Sequence, residues 1–501
     1  MGVVKSKKIE KEGRPMRKQY PLKVNAASPL AFMSVEDMEK IHSCALELLQ
    51  DVGAEIQHKG AIEMLKNAGC YVKRKRVHIP PSLVEWALKQ APSRILLYDR
   101  DGEMAMDLSG RNTYFGTGSD CCNLYDWETR SHHTFTEEDM INGAKLCDSL
   151  DNIDFLMCLG LMYMYPGTSY EHQFAAMLRN TTKPMVVTAA DRESIKNIAE
   201  MVAVIRGGMD EAINKPLIIL YDEPTSPMNH TFEAVDKLIY CAEHMLPTNY
   251  APAIMMGGTG PMTIEGALVQ CLAECMTGIV IHQLAKPGAP FVFGGCITNM
   301  DLKITQPTYS SPESNLCYSL IPQIGRELYH LPTWGMGGAC GSKMPDAQAV
   351  AEATQEAYIS GLSGVNLCHD VGFMNYGLTF SFELAVMMNE VIGQLRSVYR
   401  GVQINEENLA MDVIKTVGPK GYFLAEDHTL RHMREMWEPK VQDRNEHVKW
   451  VELGSTSMEE RAHAIVEDII KNYVPKPLTE KQDEEIQKIL DAADAASKIK
   501  G

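Results

Sequence analysis

The sequence predicts an α/β protein built as a (β/α)8 barrel of the TIM type, with an N-terminal α+β extension and a helical C-terminal extension. Three observations predict it. From Asn112 onward, short apolar runs alternate with helical stretches about eight times over about 290 residues, the count and size of such a barrel. An open doubly wound sheet would place a phosphate loop after its first strand, whereas TYFGTGSDCCN is a poor G-x-G-x-x-G with no helix directly behind it. Polar and aromatic residues collect where the apolar runs end, which is the face on which barrel enzymes place their sites.

The expected organisation is a flexible basic tail over 1–27, the α+β extension over 28–110, the barrel over 111–400 and the helical extension over 401–501. In the first extension, Met38, Ile41, Ala45, Leu48 and Leu49 recur at helical spacing behind Ser34 as a cap. A second helix follows over 60–68, a short strand over 72–79, and a helix opened by Pro81. Residues 94–108 read as a hairpin around Asp101-Gly102.

The barrel strands are TYFGTGS, IDFLMCLGLMYMY, PMVVTAA, PLIILYD, NYAPAIMMGG, PFVFGGC, PTWGMGGA and GVNLCHD. Helices are expected over 137–150, 170–180, 192–206, 231–245, 264–284, 313–328, 346–360 and 380–399. Beyond the barrel, 458–473 is amphipathic. The charged final helix, 481–500, is expected to be solvated or to contact another subunit of a homo-oligomer.

Composition narrows the function. With 48 Lys and Arg against 65 Asp and Glu, the net charge is −17, which excludes a nucleic-acid binder of the ordinary basic kind. The same balance suits small, cationic ligands. Apolar runs such as 155–164 and 251–256 are too short for a bilayer, and the N-terminus lacks a signal-peptide core, so no membrane association is expected. Met1, Gly2 and Ser6 fit a short acylation pattern. An odd count of 13 scattered cysteines fits reduced thiols and a cytoplasmic protein.

No metal site is expected. Cys121-Cys122 and Cys368-His369 are adjacent pairs whose side chains point opposite ways on a strand, and Cys271 and Cys275 lack a second ligand pair. His132-His133, His230, His282 and His428 are scattered. GGTGPM at 257–262 lacks the Lys and Ser/Thr of a P-loop, although its backbone could hold an anion at a helix N-terminus.

The strand ends supply Ser119, Asp120, Tyr163, Tyr165, Thr188, Tyr221, Asp222, Glu223, Asn299, His369, Asp370, Phe373 and Tyr376. Ring faces and carboxylates together attract a quaternary ammonium group. In the run from Pro332 to Asp346, a strand passes into glycines, which leave room over the barrel mouth for a ligand or another backbone.

GGTGPMTIEGALVQ (257–270) and GGACGSKMPDAQA (337–349), together with SPLAFMS (28–34) and its helix, resemble the trimethylamine methyltransferase family, in order over about residues 28–475. The resemblance implies a (β/α)8 barrel that demethylates methylated amines and passes the methyl to a corrinoid on a separate small protein. Archaeal trimethylamine enzymes carry pyrrolysine near the segment matching 341–345. Here ordinary residues stand throughout, which points to the branch acting on quaternary amines such as glycine betaine, proline betaine and carnitine. The chain contains no Asp-x-His-x-x-Gly segment of the kind that ligates cobalt, so the corrinoid is expected on the partner.

In that reading Tyr163, Tyr165, Tyr221, Phe373 and Tyr376 form the cage. Asp222, Glu223 and Asp346 supply negative potential, and His369, Lys343 or the backbone from Gly258 to Gly260 holds a betaine carboxylate. Two rival classes stand beside it. One is a lyase or aldolase using Lys343 as a Schiff base. The other is a quaternary-amine or corrinoid-protein binding module without catalysis.

Overall fold

The computed structural model describes residues 30–500. The predicted tail 1–27, the acylation pattern and the start of the 28–34 block lie outside the described residues.

At the centre is a curled sheet of seven parallel strands. In chain order these are β1 (Tyr114–Phe115), β2 (Met185–Val187), β3 (Ile218–Asp222), β4 (Thr248–Tyr250), β5 (Phe291–Gly294), β6 (Thr333–Met336) and β7 (Leu367–His369). Their spatial order is β1-β7-β6-β5-β4-β3-β2. Phe155 and Leu156 bridge its two edges, Phe155 pairing in parallel with Gly116 beyond β1 and Leu156 with Met185 of β2. The expected strand IDFLMCLGLMYMY is otherwise irregular, and its last residues, Tyr163 to Tyr165, lie in turns on the surface.

After α1 (Val35–Glu47) and α2 (Pro81–Gln90) of the N-terminal extension, helices follow the strands as the apolar spacing predicts: α3 (Glu137–Ser149), α4 (Ser169–Asn180), α5 (Arg192–Arg206), α6 (Phe232–Glu243), α7 (Ile264–Ala285), α8 (Pro312–Glu327), α9 (Ala347–Ser363) and α10 (Phe382–Tyr399). Their starts are set by local chemistry. Thr136 and Asp139 form a reciprocal capping box before α3, and Asp191 accepts from the Ser194 N–H before α5. Gly207, at φ 82°, ends α5 in the left-handed conformation that glycine adopts without strain.

One predicted strand is split. NYAPAIMMGG leaves the central sheet at Pro252, which has no N–H for the ladder. Residues Ala253–Met256 pair instead with Cys296–Asp301, whose other edge takes Gln306–Thr308. This small sheet stands beyond the C-terminal strand ends.

The opposite end is plugged. The predicted hairpin is present as Ile95–Tyr98 and Met104–Leu108. It packs Ile95, Leu97, Met106 and Leu108 against Tyr114, Val186, Ile219, Val292 and Leu367 inside the sheet. Tyr98 donates to the Pro216 carbonyl and Arg100 to that of Thr182, just ahead of β3 and β2.

The N-terminal extension is sewn to this body. Ala54–Ile56 pairs in parallel with Asn229–His230, which follow β3. Helices Val35–Glu47 and Pro81–Gln90 pack on α7. By length and composition α7 could cross a membrane, which the sequence reading of short apolar runs overlooked; it is sheathed by those two helices and α6 as a core helix.

The final helix corrects a second expectation. Residues Glu480–Lys500 bury Ile486 and Leu490 against α4 and α5. Asp483 pairs with Arg179, and Asp494 accepts from Thr168 and His172. It is an intramolecular strap, not a solvated helix.

Candidate functional site

Neighbouring strand residues face opposite sides, so β3 points Tyr221 into the sheet's concave interior and Asp222 outward to α6. The next inward residues on β6 and β7 are Trp334 and His369. The Trp334 and His369 rings stack at 4.3 Å, and Tyr221 lies 5.5 Å from Trp334 and 6.2 Å from His369. These three rings form the floor of the mouth. His369 donates from Nδ1 to the Gly335 carbonyl at 2.9 Å, because a carbonyl only accepts. That leaves Nε2 facing Asp370 Oδ1 at 3.6 Å. Trp334 is only 1% exposed, and its indole N–H has no partner among the described residues.

Three carboxylates stand over this floor. Tyr221 donates its hydroxyl to Glu223 at 2.9 Å. Cys158 donates to Asp120 at 3.5 Å. Burial raises the carboxyls of Asp120, Glu223 and Asp370 above their ordinary range. Asp120 raises Glu223 further, while the neighbouring His369 lowers Asp370. Asp120 and Asp370 sit at φ 64° and 72°, a conformation that costs a non-glycine residue about 1–2 kcal/mol and is often held at functional sites.

Sequence reading missed three further groups. Tyr309, Tyr170 and Cys296 are half-buried. Burial pushes up the Tyr309 phenol and the Cys296 thiol, and the charges of Asp370 and Glu223 act on both. Tyr170 is raised by burial and by Asp120. Tyr309 lies on the turn between Gln306–Thr308 and α8, where no periodicity marks it.

Of the predicted residues, Tyr221, Glu223 and His369 therefore come together. Phe373 is buried beside them, behind Gly118, and backs the mouth without lining it. Tyr376 and Lys343 pair at the rim. The Lys343 ammonium sits 4.3 Å from the Tyr376 ring centre and donates to the Gly341 carbonyl at 2.6 Å and the Tyr376 hydroxyl at 3.1 Å. That is the setting of a held cation, not of a free amine nucleophile, and it weakens the Schiff-base reading.

The other expectations are corrected. Tyr165 stacks on His172 at 3.6 Å and donates to Glu137 at 2.9 Å, in the surface network that ties down the final helix. Tyr163 is 57% exposed, on the turn beside Cys122. Asp222 pairs with Lys237 at 3.1 Å; burial drives its carboxyl up to about 7 against the pull of that lysine. Asp346 caps α9, accepting from the Ala349 N–H and the Ser342 hydroxyl at 3.0 Å each. The N–H groups of Gly258, Thr259 and Gly260 all converge on the Met255 carbonyl, so they are already used and do not form an anion cradle.

The glycines after Trp334 also have a structural reason. A Cβ on Gly337 would stand 2.5 Å from Cys368 Cβ, and Gly338 has φ 157°. Gly338 and Ala339 donate their N–H groups to Glu356, and Gly341 donates to Glu352 at 2.7 Å. Two carboxylates of α9 thus hold the loop as it passes between strand and helix.

His428 is less isolated than its sequence position suggests. Among the described residues, Glu407, His428 and His432 bring potential ligand atoms within 4.8 Å of one another, on the surface of the C-terminal extension. Arg431 occupies the same Glu407 carboxylate at 2.7 Å.

The fold and site are those of an α/β protein whose parallel sheet gathers aromatic rings and three carboxylates at its strand ends. The particular family is shown by comparison: the chain belongs to the trimethylamine methyltransferase (MTTB) family, whose model matches residues 3–496. It is 32% identical over 455 residues to a trimethylamine methyltransferase MttB of Desulfitobacterium hafniense (strain DSM 10664 / DCB-2), covering 90% of this chain and 92% of that protein. It is 29% identical over 468 residues to a glycine betaine methyltransferase of Desulfitobacterium hafniense (strain Y51), covering 91% of this chain and 95% of that protein. A crystal structure of the Methanosarcina barkeri monomethylamine methyltransferase (MtmB) superposes with a TM-score of 0.49 at 10% identity, over 95% of this chain and 90% of that one. The chain is thus a methyltransferase of a family acting on methylated amines.

Proposed function

We propose that this chain takes a methyl group from a quaternary amine and transfers it to the Co(I) corrinoid of a separate small protein. The observation that carries the reading is the floor of Tyr221, Trp334 and His369 beneath the carboxylates of Asp120, Glu223 and Asp370. Rings and carboxylates attract a cation that has no N–H to donate. The relative named for glycine betaine supports a betaine; proline betaine and carnitine belong to the same chemical class.

The chemistry asks little acid or base of the protein. A quaternary nitrogen already carries its charge, so it departs as a neutral tertiary amine when the methyl is displaced. The partner's corrinoid supplies the nucleophile. The chain's own residues hold the cation in line and exclude water from the methyl. Glu223 keeps accessible surface in the open mouth although the walls around it desolvate its carboxyl, and Tyr221 beneath it is half-buried, consistent with substrate bound on the rings and the partner arriving from outside. The site fits best in a closed (β/α)8 barrel: the bridges from Gly116 to Phe155 and from Leu156 to Met185 support Phe155–Leu156 as the eighth strand.

The test is methylation of a reduced corrinoid protein followed by its visible spectrum. Glycine betaine, proline betaine, carnitine and trimethylamine are offered in turn. Methylation with a quaternary amine and none with trimethylamine is expected. Binding of these amines with no methylation, beside a corrinoid protein known to be competent, would favour the binding-module reading.

A further inference from the structure

Two short helices of the C-terminal extension meet through their polar side chains. Glu406–Leu409 presents Glu407. Asp427–His432 presents His428 and His432, spaced i, i+4 and so on one helix face. The two imidazole rings lie 4.3 Å apart, and His432 Nε2 stands 3.3 Å from Glu407 Oε1. Two ligands of a tetrahedral zinc ion, each about 2.1 Å from it, stand about 3.4 Å apart. That pair is therefore already at ligand spacing. One potential ligand atom from each of Glu407, His428 and His432 falls within 4.8 Å of the others, so side-chain rotation brings in the third.

The far side of each ring supplies a second observation. Metal-binding histidines give their other N–H to a fixed acceptor, which sets the tautomer. His428 donates from Nε2 to the Glu407 carbonyl at 3.2 Å, because a carbonyl only accepts, and its Nδ1 keeps a lone pair. His432 has Glu435 Oε1 at 3.1 Å from Nδ1. With the proton there, Nε2 turns its lone pair toward Glu407, a repulsion that a cation between the two relieves. An imidazolium would relieve it at His432 but gives no role to a second ring held with Nδ1 open. Arg431 donates to Glu407 Oε1 at 2.7 Å. A carboxylate offers about four lone-pair sites, so arginine and metal can share it.

We propose that Glu407, His428 and His432 bind a divalent transition-metal ion, zinc by its N2O donor set, with water completing the coordination and Glu435 as a positioning residue. Neither helix buries a residue, and helices this short do not hold alone in water. An ion bridging them closes the stretch 408–427, and its binding energy becomes folding energy for that stretch. The site is separate from the mouth: Arg400, at the end of α10, donates to the Glu435 carbonyl at 2.9 Å. It does not depend on the methyl-transfer reading.

The test is titration of the full chain, free of any tag and stripped with a chelator, with zinc in competition with a chromophoric chelator. One equivalent per chain is expected, with a Kd in about the micromolar range or tighter. His428→Ala, His432→Ala should weaken it by about 100-fold or more, and Glu435→Gln by about 10-fold. Hydrogen exchange should show slower amides over 408–427 when zinc is added to the wild type. The wild type loaded with cobalt(II) covers the case in which a variant does not fold: visible d–d bands without sulfur charge transfer are expected. No saturable zinc binding would overturn the proposal and leave an imidazolium ion pair. Full affinity in the double histidine variant, or a sulfur-to-cobalt band, would overturn it by placing the metal on the cysteines.

Discussion

Asp370 Oδ1 stands 1.9 Å from where a Cβ on Gly118 would lie. A methyl group cannot share that space, so the absence of a side chain at 118 is what lets Asp370 stand beside His369. The carboxylate is held there on a residue at φ 72°, with Oδ1 3.6 Å from His369 Nε2. Gly118→Ala should displace Asp370 and lower kcat/KM by about 100-fold, the scale expected when one preorganised electrostatic group is lost. Asp370→Asn should reproduce most of that loss without the steric change. A Gly118→Ala enzyme of normal activity would show that Asp370 is not needed where it stands.

Tyr221 separates ring from hydroxyl. Its ring completes the aromatic floor, and its hydroxyl only orients Glu223. Tyr221→Phe keeps the face that attracts the cation and should raise the dissociation constant of tetramethylammonium by no more than about threefold. Tyr221→Ala removes a cation–π contact of about 1–2 kcal/mol and should raise it by about 10-fold or more. Isothermal calorimetry measures both; equal losses would mean that the hydroxyl and Glu223, not the ring, carry the binding.

The parts of this arrangement that sequence could reveal are those written in local order. Helix α5 is legible over 192–206 from its apolar spacing, and the structure adds a cap at Asp191 and a stop at Gly207, both adjacent in the chain. Tyr221, Glu223 and His369 are found because they close strands whose ends share one face. Tyr165 misleads because the irregular stretch after Leu156 breaks the alternation that would have fixed its direction. Tyr309 is missed because its approach to Asp370 is made by a hairpin whose existence depends on Pro252 diverting a strand. The final helix shows the same limit, since its density of charge suggests a solvated surface and does not reveal that Ile486 and Leu490 find cover on the same chain.

The loop between β6 and α9 depends on one buried carboxyl. Glu356 has no exposure, and burial pushes its carboxyl well above the usual range. Its Oε2 accepts from Gly338 and Ala339, and Oε1 has no partner among the described residues. Glu356→Ala leaves two buried N–H groups unmatched and opens a cavity, so it should cost about 3–5 kcal/mol in urea unfolding. Glu356→Gln keeps an accepting oxygen and resembles the protonated acid, and should cost no more than about 1 kcal/mol. Equal losses in the two variants would show that the negative charge itself holds the loop.

Acid sensitivity should come in part from two histidines far from the mouth. His230 and His282 are fully buried, and burial lowers each to about 3 from an ordinary 6.5. Each ring meets one neighbour at Nδ1, Tyr250 for His230 at 2.8 Å and Gln283 for His282 at 3.1 Å, and neither Nε2 has a partner among the described residues. Between pH 6.5 and about 3 the unfolded chain binds a proton at each site that the folded chain refuses. The stability each neutral ring contributes is therefore present above pH 6.5 and lost as pH falls, at about 1.4 kcal/mol per pH unit per histidine. Buried acids such as Asp222, raised to about 7, act in the opposite direction over the same range, so the total slope is not the quantity to read. The difference between wild type and His282→Gln isolates one site. Whatever the variant loses at pH 7.5, its deficit relative to wild type should shrink by about 2 kcal/mol by pH 5 in urea titrations. A deficit that stays constant across that range would mean that His282 is protonated in the fold, with a partner for its charge.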